Sequence, residues 1–241
     1  MRAELLKLRS MPTPRWTLAI LLAFFVGGIV ASVIWGVGTD SAVLDLAVGL
    51  PGQIAALVVG SWMAGVEFGQ NTLRRALSAD PRRLRLVLSK LAVLVLAVVA
   101  VTVILIVLGT LIFSLAGSGH ATSIEIGTAG KILGAWLVAD IAWAVTAFSL
   151  TLLTRSMAGG LVLSFVFFFV LDGFISLIPK VGDYTIGIAL SDIDIAIRGT
   201  TDDFFGQTTT NDTGIAVIVL VGWLAVFIAA GIVRTLKTEV K

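Results

Sequence analysis

The sequence predicts an all-α polytopic membrane protein with six transmembrane helices and both termini in the cytoplasm. Three observations carry that expectation. Of 241 residues 58% are hydrophobic and only 13% charged, with mean hydropathy +1.05, whereas a soluble domain carries about 25% charged residues. Six runs are apolar over the roughly 20 residues that about 30 Å of hydrocarbon requires of a helix. Basic residues gather in alternate connecting segments, as the positive-inside rule expects. Six such spans use about half the chain, so one membrane domain, 1–241, with short loops is expected and no second large domain. No run shows period-two alternation, which sets a membrane barrel aside.

The elements follow in order. Residues 16–39 are too long for the apolar core of a cleaved signal peptide, about 7 to 15 residues, and read as a retained first span. The basic segment before them, Arg2 to Arg15, is poorly amphipathic because Arg9 falls within the arc of Leu5, Leu6 and Leu8. Gly28, Ser32 and Gly36 repeat every four residues and suggest close helix approach. Residues 46–66 and 91–117 form the second and third spans. Residues 132–154 and 156–178 form the fourth and fifth, interrupted by Asp140 and Asp172, and residues 213–233 form the sixth. With both ends inside, only Lys131, Lys180 and Arg198 of the 17 basic residues lie outside. The absence of cysteine removes disulfides, thiolate metal sites and cysteine nucleophiles.

The segment 67–90 carries the functional argument. Leu73, Ala76 and Leu77 fall at i, i+3 and i+4, so a short helix there shows one apolar face, with Asn71 or Thr72 able to cap its start. Asp80 and Pro81 suit the N-cap and first turn of a new helix running into the third span. Arg82, Arg83 and Arg85 then sit where the helix dipole disfavours cations, so something else favours them. One reading is topology and anionic lipid headgroups. The other is a docking element for a soluble partner, with Leu73, Ala76 and Leu77 as anchor and Arg74, Arg75, Arg82 and Arg83 around it.

At this point the chain resembles the type-2 ATP-binding-cassette permeases, the six-helix membrane subunits of many bacterial exporters. The resemblance rests on Glu67 ending the second span, the Thr72-Leu73-Arg74 step, Pro81 followed by basic residues, Lys90 opening a long third span, and a longer final external loop. It implies that residues around Leu73 to Arg83 form the coupling helix seated on a nucleotide-binding subunit. Asp80 departs from many relatives, which carry a small or neutral residue there. The resemblance further implies two ATPase subunits per complex, a second permease chain, identical or related, a multi-pass place in the bacterial plasma membrane, and ATP and Mg held by the partner ATPase. No cofactor on this chain and no nucleic-acid partner are expected. The chain has no phosphate loop of its own: its one Gly-Lys pair, Gly130-Lys131, is followed by Ile132 and lacks the upstream glycine.

Two further features bear on cargo. Asp140 lies well inside the fourth span, with Trp136 at i−4 and Trp143 at i+3, an acid and two indoles on one face that suits an organic cation. The alternative is an Asp bonded to a neighbouring helix, with Trp136 in the interfacial aromatic belt. Asp172 reads as a structural or snorkelling acid near the outer surface. The lone His120 cannot build a histidine metal site. The external segment 179–212 contains Ile186, Ile188, Leu190, Ile193, Ile195 and Ile197, which need burial, so short re-entrant helices are expected. The function so expected is export of a hydrophobic or amphipathic molecule, such as an antibiotic, peptide or lipid-like compound. The rival is an ion-coupled carrier using Asp140 and Asp172; it would need two repeated halves with broken helices, and the sequence shows no repeat.

Overall fold

The computed structural model describes residues 12–35, 40–69, 83–116, 126–201 and 206–237. Among them the regular elements are all helical, with no strand. Long apolar helices are α1 (Pro12–Trp35), α2 (Asp40–Gly69), α3 (Arg83–Ala116) and α4 (Ile126–Thr154). A composite rod follows, made of α5 (Met157–Val166), a π-helical turn (Phe167–Leu171) and α6 (Asp172–Ser176). A 3-10 turn (Gly182–Tyr184), the short helix α7 (Ile186–Arg198) and the last long helix α8 (Thr213–Lys237) complete it.

Five helices are long and apolar enough to cross a membrane, over Val48–Val66, Val87–Gly109, Gly127–Thr154, Met157–Ser176 and Thr213–Thr235. They fall on the expected second to sixth spans and fit a multi-pass membrane protein. The helices outrun the apolar runs, α2 starting already at Asp40 and α4 at Ile126, because backbone hydrogen bonding does not stop where hydrophobicity does. The expected first span falls on α1, whose described apolar stretch is the shorter Ala19–Gly28. Ser32's side chain and Gly36 lie outside the described parts of the chain, so the stripe through Gly28 is not traced.

α4 is the hub, packed by α2, α3, α5, α7 and α8. It is buried along most of its length, whereas α3, the α5–α6 rod and α8 expose Leu96, Ile104, Val107, Phe169, Phe174, Ile218 and Val221. A belt of apolar side chains around a buried central helix is what hydrocarbon solvent permits and water does not. Where apolar side chains gain little by leaving lipid for each other, close backbone approach decides packing. A Cβ on Gly60 of α2 would lie 2.3 Å from the Ala144 carbonyl oxygen of α4, and one on Gly49 would lie 2.5 Å from the Trp136 ring. Buried hydroxyls turn back on their own helices: Thr146 donates to the Ala142 carbonyl and Thr151 to that of Ala147.

The turn between α4 and α5 is two residues long. Arg155 takes a left-handed φ of 54° and Ser156 caps α5, its Oγ accepting from the Gly159 N–H at 3.2 Å. After α6 the described residues form the 3-10 turn and one 13-residue helix, α7. Thr185 caps its start, and Gly199, at φ 69°, closes its end in the left-handed conformation. α7 buries Ile186, Ala189, Leu190, Ile193 and Ile195, packing on α4 and α8, so these apolar residues find their cover within the protein.

Candidate functional site

Three neighbourhoods hold the residues the sequence singles out. The first is the pair of stems flanking the coupling segment. Leu73, Arg74, Arg75, Ala76, Leu77, Asp80, Pro81 and Arg82 lie outside the described residues; Arg83 opens α3, and its side chain is also outside them. What the structure shows is how the stems meet. Lys90 is buried and its Nζ donates to the Met63 carbonyl at 3.0 Å, joining the start of α3 to the end of α2. Around that bond Trp62, Met63 and Val66 of α2 pack with Val87, Val93 and Leu94 of α3 and with Phe148 and Leu152 of α4. On the same end Arg155 lies 5.8 Å over the Phe68 ring.

The second neighbourhood is Asp140. It is buried, and its Oδ2 accepts from the Thr102 hydroxyl of α3 at 2.9 Å. Its Oδ1 faces Gly52 of α2, where a Cβ would stand 3.2 Å away, and makes no hydrogen bond among the described residues. Trp136 and Trp143 do not accompany it. At about 100° per residue they lie roughly 40° and 60° to one side of Asp140 around α4, enough to turn both indoles toward a cavity that Asp140 does not line. Asp140 thus points into the α2–α3 seam, and the two indoles are turned to one side of it, toward the cavity.

That cavity is the third neighbourhood. It measures about 480 Å³ and is lined by Leu50 and Gln53 of α2, Trp136, Ala139 and Trp143 of α4, Phe168, Phe169, Asp172 and Ser176 of the rod, and Ser191 and Asp194 of α7, among others. α2 and α5 touch at Gly65 and Met157, and the cavity lies toward their other ends, with α4 behind it and α7 across it. Aromatic rings form one wall: Phe168 meets Trp143 edge-on at 4.7 Å and Phe169 at 4.6 Å. The π-helical turn carries these phenylalanines, and its Phe167 packs against Trp223 and Phe227 of α8 instead. Such turns widen a helix locally and recur at functional sites.

Asp172 follows that turn directly and is committed to backbone. Its Oδ1 accepts from the Ile186 N–H at 3.1 Å and its Oδ2 from the Gly187 N–H at 3.0 Å. It thereby supplies two otherwise unpaired amides at the start of α7, where a carboxylate also suits the helix dipole. The reading of Asp172 as a structural acid agrees with this geometry.

The polar network beside the cavity has no counterpart in the sequence reading, which places Lys131 and Arg198 outside the membrane and gives Asp45 and Asp194 no role. Asp45 of α2 accepts from the Trp136 indole N–H at 2.7 Å through Oδ1 and from Arg198 Nη1 at 2.7 Å through Oδ2. Arg198 Nε donates to Asp194 Oδ1 at 2.7 Å, and the guanidinium lies 5.6 Å from the Trp136 ring centre. Lys131 donates to the Arg198 carbonyl at 2.9 Å. Burial opposes the Arg198 charge, but the hydrogen bond to Asp45 and the charges of Asp45 and Asp194 outweigh it, so its pKa is raised and it stays cationic. On the other face of α7, buried Asp192 accepts from the backbone N–H groups of Thr210 at 2.7 Å and Asn211 at 3.0 Å, holding the approach to α8. One signal was available: Gly187, Ser191, Asp194 and Arg198 recur at i, i+4, i+7 and i+11, a polar stripe on an otherwise apolar helix.

No family model matches the chain, and no curated protein matches it.

Proposed function

We propose that the chain is the membrane-spanning permease subunit of an ATP-driven exporter, moving a hydrophobic or amphipathic molecule out of the cell with a separate ATPase. In this reading α1 also crosses the membrane, as the first of six spans, and both termini are cytoplasmic. The complex pairs two permease chains in the bacterial plasma membrane with two ATPase subunits. The 67–90 segment then seats on the ATPase through Leu73, Ala76 and Leu77, rimmed by Arg74, Arg75, Arg82 and Arg83.

The observation that best supports this reading is the Lys90–Met63 bond. A coupling element must pass movement to the helices behind it, and here the stems on both sides of the segment are tied by a buried charged hydrogen bond and one apolar cluster. A charge-assisted bond of this kind contributes about 1.5 to 3 kcal/mol. Displacement of the segment therefore moves α2 and α3 together, and both pack on the hub α4. The ion-coupled alternative gains no comparable support, since Asp140 is engaged by Thr102 and Asp172 by the α7 amides.

The test is to look for a phosphate-loop ATPase encoded beside the chain, co-express the two and substitute Leu73→Asp or Leu77→Asp. An interface with an apolar centre and charged rim tolerates no unpaired carboxylate at its centre. Membrane insertion should persist while ATPase co-purification falls at least tenfold. Undiminished co-purification in both variants, or no such ATPase gene, would overturn the proposal.

A further inference from the structure

We infer that the cavity between α2, α4, the π-helical turn and α7 is a binding site for a lipophilic organic cation. As a cargo site it rests on the exporter reading; as a binding site it stands on the chain alone. Its size, about 480 Å³, falls in the range of about 300 to 1,000 Å³ that takes drug-sized ligands. Trp143, Phe168 and Phe169 line it, and no lysine or arginine is among its described lining residues. Ring faces attract cations that have shed their water.

The charge balance points the same way. Asp194 is one carboxylate among its lining residues. Asp172 adds another, its two oxygens accepting from two N–H groups. A third observation is independent of charge. Ser191 lines the cavity at 7% exposure, and its Oγ has no hydrogen-bond partner among the described residues. A buried hydroxyl without a partner is uncommon, and one on a cavity wall marks a place for a ligand's polar atom. An anion would meet two carboxylates there, whereas a cation meets those carboxylates and the lone pairs of the Ser191 oxygen.

The experiment uses the full chain in nanodiscs without any ATPase. Radiolabelled tetraphenylphosphonium is the probe, with binding to empty nanodiscs subtracted. Saturable binding is expected, displaced at least tenfold better by unlabelled tetraphenylphosphonium than by tetraphenylborate, an ion of like shape and opposite charge. Ser191→Leu fills the cavity and should weaken binding at least tenfold. Phe169→Ala removes a ring that is already 54% exposed, so the fold is not at risk, and should weaken binding severalfold. Absence of saturable binding, equal displacement by the two ions, or unchanged affinity in both variants would overturn the site. Loss of cation binding with ATPase seating intact would remove this inference and leave the exporter reading. Intact binding with no ATPase seating would do the reverse.

Discussion

Arg198, in the last turn of α7, donates at 2.7 Å to Asp45 in α2, a residue 153 positions earlier in the chain. The pair also holds the Trp136 indole through the other Asp45 oxygen, so one acid fixes the relation of α2, α4 and α7. Breaking a buried pair by removing one partner costs about 3 to 5 kcal/mol. Arg198→Met should lower the thermal midpoint of the detergent-solubilised protein by several degrees. Asp45→Asn combined with Arg198→Met should cost clearly less than the sum of the two, as for residues in one network. Strict additivity in that cycle would show the pair to be energetically idle.

Gly60 is the tightest point between α2 and α4, with the Ala144 carbonyl where a side chain would begin. Gly60→Ala should destabilise by about 1 to 3 kcal/mol, the usual cost of overpacking. Gly222→Ala on α8 meets nothing within 4 Å and should be neutral or stabilising, since alanine favours helix by about 1 kcal/mol over glycine. Thermal unfolding of the two variants side by side checks this; equal midpoints would refute the close approach.

Asp172→Asn places an amide nitrogen where one of two N–H donors now points. Losing an N-terminal cap costs about 0.5 to 2 kcal/mol, so global folding should survive. The effect should be local: amide hydrogen exchange at Ile186 and Gly187 should accelerate at least tenfold, with α8 unaffected. Unchanged exchange there would mean that Asp172 does not hold α7.

Asp140→Asn keeps the Thr102 bond available and removes a carboxylate whose insertion costs roughly 2.5 to 3.5 kcal/mol at mid-membrane. The variant should be as stable as the original or more so. Because Asp140 does not line the aromatic cavity, tetraphenylphosphonium affinity should stay within twofold. A tenfold loss of affinity in a normally folded variant would return Asp140 to the binding face.

Single cysteines introduced at positions 77 and 203 should report orientation, because the chain has no native cysteine to interfere. An impermeant maleimide added outside intact cells should label 203 and spare 77, as the distribution of basic residues requires. The opposite pattern would invert the topology and remove the cytoplasmic coupling segment with it.

The helical class and the five long apolar helices were legible in the sequence because hydrophobic length is a local quantity: about 20 consecutive residues decide whether a helix can cross hydrocarbon. That the aliphatic residues of 179–212 need cover was legible too, but the reading expected re-entrant helices there, and only the structure shows α7 covered by α4 and α8. Which helix would be the hub was not local. α4 holds that place because Gly60 and Gly49 let α2 close onto it, and the need for a missing Cβ is visible only once the partner backbone is there. The neighbours of Asp140 were read from helical spacing, and the spacing was right; its roughly 40° and 60° offsets became decisive only when the α2–α3 seam took Asp140 and the cavity took the indoles. Nothing marked Asp45, Asp194 and Arg198 as partners, because a bond between positions 45 and 198 leaves no trace in either neighbourhood. Their meeting depends on where three helix ends arrive, and tertiary packing alone decides that.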